Sequence, residues 1–463
     1  MDQSTEQKVL EALYDRLFQA VTYAPAGQAS LFDKTSVFIQ FAKNQAINPK
    51  DFANPLSPVN PKGDLNSAEF FSRMVDAVPA IDSNYVITAN KVSKTYGSIV
   101  RGADTKSIPD SNQLEIYTKA YSYLNKEVTI EDFEGNKTTS YQPSPVYAAY
   151  KNNRTAYMSA LSAYRTAYLG YNMENLDDQR KWQANEPLLK NAISQTYDTW
   201  RAQGATQVEQ ALAAMASSIN NIVSSTIKAS QEDISSAEMA SSMGIQDPWY
   251  LAYANPTNWY DENAGSFSQL KLESNNLTRT GDSSYSEYSA GGAASWGLWS
   301  VGADVSGGHK ESHAHMDADA FSLSAEIAVV QINRPWLNDL IFRMKGWFLK
   351  LQAAGGISNG TLKDNSSNML PLIPSAFIIA RNIAITANWT SEDRSHVENS
   401  ISTKARVGWG PFAVSGSYSH GSSSDYFHAT FDGGTLKIPG MQIIGWVNQI
   451  VPYSAPLGDD NEK

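Results

Sequence analysis

Ionisable side chains are densest in one stretch of this chain, His309-Lys310-Glu311-Ser312-His313-Ala314-His315-Met316-Asp317-Ala318-Asp319. On an extended backbone the odd positions share a face, which puts His309, Glu311, His313, His315, Asp317 and Asp319 side by side. Two imidazoles at His-x-His spacing on a strand point the same way and can hold zinc or a related divalent metal. The run holds three of the chain's six histidines, the composition of an element that changes charge near neutral pH. A polar row on a strand is also the ordinary wet face of a sheet. Metal site, pH sensor and solvated face all remain open on sequence alone.

Other chemistry is sparse. The chain has no phosphate-cradling Gly-x-x-x-x-Gly-Lys-Ser/Thr, no dinucleotide-type Gly-x-Gly-x-x-Gly and no zinc-protease His-Glu-x-x-His. It contains no cysteine, so disulfides, thiolate metal sites and thiol nucleophiles are excluded. Paired carboxylates such as Asp177-Asp178 and Asp459-Asp460 fall where helix caps and tails are expected. The expectation is a non-enzymatic protein with no cofactor, a divalent metal at residues 309–319 being the one exception considered.

The elements around the histidine run are repetitive. Trp296-Gly297-Leu298-Trp299-Ser300-Val301-Gly302-Ala303-Asp304-Val305-Ser306 aligns without a gap on Trp409-Gly410-Pro411-Phe412-Ala413-Val414-Ser415-Gly416-Ser417-Tyr418-Ser419, at an offset of 113 positions. Upstream, Leu270-Lys271-Leu272 has a counterpart in Ile383-Ala384-Ile385 at the same offset, and Trp336-Leu337-Asn338 resembles Trp446-Val447-Asn448 at 110. Matches in one order at nearly one spacing point to an internal duplication. In each copy apolar and polar residues alternate, the period of a half-buried strand. Residues 265–335 and 376–453 therefore read as two β repeats. They are joined by residues 336–375, which carry an expected amphipathic helix and a Gly-rich loop. Residues 454–463 read as an acidic flexible tail. The second copy does not repeat the histidine-acid run, having Ser422, Ser423, Ser424, Asp425 and His428 in its place, so a metal site there is not expected to be required by the shared fold.

Residues 1–246 read as helical. Val9, Leu13, Leu17, Ala20 and Val21 share one helical face, and Tyr150, Tyr157, Tyr164 and Tyr171 recur every seven residues. A small hairpin is expected near residues 128–141, and residues 247–264 read as an aromatic linker. The expected class is α+β: an N-terminal helical bundle, then a C-terminal antiparallel β-sandwich or sheet built by duplication.

Thirty-six Lys and Arg against 47 Asp and Glu leave a formal charge of -11, which argues against nucleic acid as a partner. The N-terminus lacks the pattern of a secretory signal, and no apolar run is long enough for a transmembrane helix, so the chain is expected to be cytoplasmic as synthesised. The Ser/Gly-rich alternating hairpins resemble in composition the stem hairpins of β-pore-forming toxins. That resemblance implies a membrane-acting protein, soluble as made, with lipid and copies of itself as partners. Trp296, Trp299, Val301, Val305, Trp409, Phe412, Val414 and Tyr418 are the expected membrane or assembly face. Two alternatives remain: self-assembly through aromatic surfaces, and a carbohydrate-binding protein or enzyme with a dispersed site.

Overall fold

The computed structural model describes residues 5–22, 32–58, 60–105, 111–131, 137–171, 175–217, 219–274, 299–301, 310–312, 321–350, 352–420 and 423–455. The protein is α+β, with helices and antiparallel sheets. Among the described residues thirteen strands form its two main sheets: β1 (Val37–Ile47), β2 (Tyr253–Asn255), β3 (Ser268–Glu273), β4 (Trp299–Val301), β5 (Lys310–Ser312), β6 (Ser322–Asn333), β7 (Leu372–Thr386), β8 (Val407–Trp409), β9 (Phe412–His420), β10 (Ser423–His428), β11 (Thr430–Asp432), β12 (Thr435–Ile438) and β13 (Met441–Ile450). The larger sheet runs β1-β13-β7-β6-β3, with β2 added on β6 and β12 joining β7 to β11. The smaller runs β5-β4-β8-β9-β10.

Both faces of the larger sheet are covered, as its near-continuous apolar strands demand. In β7, Ala376, Ile378 and Ala380 face a core shared with the smaller sheet, while Phe377 and Ile379 face the opposite side. The first core is completed by helix α1 (Thr5–Thr22), whose Val9, Leu13 and Leu17 are fully buried as their spacing predicts. The Tyr14 hydroxyl donates to the Ile39 carbonyl and ties α1 to β1. The second face is closed by α2 (Leu65–Met74), capped by the Asp64 carboxylate on the Ser67 N–H, and by Trp259, which packs on Phe377 at 5.0 Å between ring centroids.

The pairing register repeats along the chain. Leu270 faces Ala325 and Leu272 faces Leu323; 113 positions on, Ile383 faces Ile438 and Ile385 faces Leu436. Trp336 and Trp446 do not follow this relation. Trp446 lies within β13, whereas Trp336 lies beyond the end of β6.

Three expectations are corrected. Residues 1–246 are not purely helical, because β1 pairs with the last strand, Ile39 facing Val447. Its Gln40 amide donates to the carbonyls of Ala80, Asp82 and Asn84 and accepts from Asn448, so a polar residue at zero exposure is fully used. The aromatic segment at 247–264 is not a bare linker: Trp249 and Trp259 are core residues and β2 joins the larger sheet. The amphipathic helix expected within 336–375 is replaced by a short 3-10 helix, Asp339–Arg343, and a strand, Trp347–Leu349, paired with Ala103–Thr105. Gly346, at φ +84°, takes the left-handed turn between them that would end a helix.

The remaining α-helices among the described residues are α3 (Val92–Gly102), α4 (Ser111–Leu124), α5 (Pro145–Leu169), α6 (Leu176–Trp200), α7 (Thr206–Ser217), α8 (Ile219–Ser236) and α9 (Ser391–Thr403). The heptad tyrosines of α5 form its buried seam: Tyr164 meets Trp182 and Tyr157 meets Trp200, so α5 and α6 run antiparallel. The small hairpin is present as Asn125–Glu131 paired with Lys137–Pro143.

Candidate functional site

The smaller sheet carries the hairpins singled out from sequence. Trp299 faces Trp409 across the β4–β8 pair, and Val301 faces Val407. The turn from β8 into β9 passes through Gly410 at φ +54°, close against Leu10 of α1, a place where a side chain would be both strained and crowded. Trp299, Trp409, Phe412 and Val414 are each at most 1% exposed. These four are therefore the root by which the smaller sheet grips the core, and none is available to lipid in this conformation. Sequence alternation marked them correctly as one apolar face but left open which surface that face meets.

Two polar devices reinforce the root. The Ala413 N–H donates to Gln442 Oε1 at 2.6 Å and the Gln442 amide returns a bond to the Ala413 carbonyl at 3.3 Å, linking β9 to β13 side chain to backbone. Asp393 in α9 completes a capping box with Thr390 and accepts the Trp299 indole N–H at 2.7 Å. His396, one turn on, stacks on Trp299 at 5.3 Å between centroids. The Tyr426 hydroxyl in β10 donates to the Ser400 carbonyl, so α9 is fastened both to β4 and to β10. Neither Gln442 nor Asp393 was flagged from sequence; only the Thr-x-x-Asp cap before α9 could have hinted at the second.

Strand directions decide what the hairpins can do. β4 and β9 are each antiparallel to β8, hence parallel to one another. β5 returns antiparallel to β4 and β10 antiparallel to β9. The chain therefore leaves β4 and β9 at the same end of the sheet, with β8 between the two strand pairs. The second stem has the longer register: the partners Trp299 and Ser312 correspond to Phe412 and Asp425, but Asp425 faces Tyr418 instead.

Trp296, Val305, His309, His313, His315, Asp317 and Asp319 lie outside the described residues, as do the side chains of Val301 and Tyr418. Among the described residues no group of three His, Asp or Glu could hold a metal ion. Asp177 and Asp178 fall, as expected, in the first turn of α6, where Asn175 caps both N–H groups.

One serine motif escaped the sequence reading. Gly356-Ile357-Ser358-Asn359-Gly360 has nucleophile-elbow spacing. Ser358 is nevertheless fully buried, donating to the Val451 carbonyl at 2.6 Å and accepting from Gly360 N–H and the Asn365 amide. It is a structural knot with no general base on its hydroxyl.

The fold and site thus define an α+β protein with two same-facing hairpins rooted in a tryptophan cluster. No family model matches the chain, and neither the curated proteins nor the solved structures gave a match.

Proposed function

We propose that this protein acts on membranes as a non-enzymatic pore former, extending its two hairpins into lipid after self-association. The observation that carries the reading is that β4–β5 and β9–β10 project from the same end of one hydrogen-bonded sheet. The two stem pairs, each antiparallel within itself, flank β8 in the sheet, and strands that leave it together can span hydrocarbon once they close into a barrel, since closure alone satisfies every backbone group there. Among the described residues no helix is long and apolar enough to cross a membrane, so the proposed insertion is by strands. Among the described residues β5 and β10 are the edge strands, and their outer backbone is where copies would join.

We further infer that the two β segments arose by duplication; the 113-position relation between their strand registers supports it. Duplication would supply two hairpins of one direction from one ancestral unit, while their different stem lengths mark later divergence. The distal hairpin positions, including Val305 and Tyr418, are then the lipid-facing ones. The buried set, Trp299, Trp409, Phe412 and Val414, is the hinge that stays behind.

The test is dye release from liposomes of phosphatidylcholine with and without phosphatidylserine, at neutral and mildly acidic pH, using the full chain. Release accompanied by ring-sized oligomers in detergent extracts is expected. No release in any condition, with the protein remaining in the supernatant, would remove the reading.

A further inference from the structure

A cavity of about 210 Å³ opens at the far end of the larger sheet, where β6 ends, β7 begins and β13 ends. It takes no part in the hairpin sheet. One wall is apolar, formed by Ile332, Phe342 and Ile373. The polar lining includes the donors Asn333, Arg334 and Arg343 and one carboxylate, Asp339.

The state of those donors is informative. Arg334 Nη1 donates to the Pro374 carbonyl at 2.6 Å and Nη2 to the Val75 carbonyl at 2.5 Å, so the guanidinium is fixed in place by backbone. Its Nε, and the Asn333 Nδ2, are buried and without an acceptor among the described residues. Buried donors are ordinarily satisfied, and each one left bare costs free energy that a bound acceptor would recover. Burial pushes the Arg334 guanidinium down to about 10, offset in part by Asp76 and Tyr85, and it remains a cation at neutral pH. At the rim Arg343 is 54% exposed and meets Asp339 only at 3.7 Å, a contact loose enough to yield to a better acceptor. The lining therefore combines a cation fixed by backbone, an exposed cation loosely paired with Asp339, and an asparagine whose amide donor is unused, beside an apolar wall.

We propose that this cavity binds a small carboxylate with a short apolar body, its carboxylate held by Arg343 with Asn333 and Arg334, its hydrocarbon on Ile332, Phe342 and Ile373. The planar guanidinium of Arg343 suits bidentate capture of a carboxylate. The cavity lies below the ~300–1,000 Å³ of pockets for drug-sized ligands, which favours a compact acid over a nucleotide or a long acyl chain.

The test uses the intact chain labelled with ¹⁵N-arginine, titrated with isovalerate, succinate, inorganic phosphate and the neutral isovaleramide. Isovalerate should shift the Arg334 Nε–Hε resonance saturably, with isovaleramide at least about tenfold weaker. Arg343→Met should weaken isovalerate by about tenfold or more with the melting temperature unchanged, because Arg343 is half-exposed. The proposal is overturned if no carboxylate saturates by about 10 mM. Tighter binding of phosphate than of isovalerate, equal binding of the neutral amide, or undiminished affinity in Arg343→Met would overturn it too.

Discussion

The two sheets of this protein are built from similar alternating strands and held in different ways. The larger sheet is covered on both faces, by the smaller sheet and α1 on one and by α2 and Trp259 on the other. The smaller sheet is held at its root, through Trp299, Trp409, Phe412 and Val414, the Gln442 clasp and the Asp393–Trp299 bond. A sheet covered on both faces can move only by unfolding. One held at its root by a few identifiable contacts can be released by breaking those contacts. On the proposed reading, the first supplies stability and the second the conformational change.

The largest expected effect breaks the first sheet. Phe377 is fully buried against Phe71, Trp259 and Trp446, and Phe377→Ala should cost about 3–5 kcal/mol. Hydrogen exchange should show both sheets losing protection together, since the smaller has no core of its own. Gln442→Ala comes next. It leaves the buried N–H and carbonyl of Ala413 bare, costing about 2–3 kcal/mol. Here β8, β9 and β10 should lose protection well before β6 and β7; equal loss in both sheets would erase the distinction drawn between them.

Asp393→Ala removes a helix cap and the acceptor of the Trp299 indole, for about 1–2 kcal/mol. Tryptophan emission should shift to the red and vesicle dye release should quicken; unchanged release would show that α9 does not restrain the hairpins. The smallest effect is at Glu326, which bridges to Arg381 at 2.6 Å across β6 and β7. Burial pushes the Glu326 carboxyl up, but the bonds from Arg381 and Asn382 outweigh it and hold the group below its ordinary range. A carboxyl with a depressed folded pKa stabilises above its unfolded value, roughly pH 4.3, and loses that contribution as pH falls through the folded one. Glu326→Gln should therefore cost about 1 kcal/mol at pH 7 and nothing in strong acid, read from denaturation midpoints across pH.

The helical face of α1 and the tyrosine seam of α5 were legible because each partner surface follows from a local period. The strands at 270–272 and 383–385 were legible from alternation, at an offset that their pairing registers share. β1 was not. Val37, Ile39 and Phe41 alternate well enough, but the partner is β13, some 400 residues away, and no local pattern names a partner. The expected helix after Trp336 failed because composition outweighed a single glycine, Gly346, whose left-handed backbone ends it. At the site, periodicity found the apolar face of Trp299, Phe412 and Val414 but could not distinguish a core from a membrane. The Gln442 clasp was invisible, as a lone glutamine in a strand carries no motif.

The absence of cysteine permits a direct trial of the central claim. Single cysteines placed in turn at positions 301–305 and 414–418, each labelled with a polarity-sensitive dye, would be read before and after addition to liposomes. Val305 and Tyr418 are expected to move into an apolar environment while Asp304 and Ser417 stay wet, a two-residue period in both hairpins. Labels that stay in water at every position, or that move without that period, would contradict it.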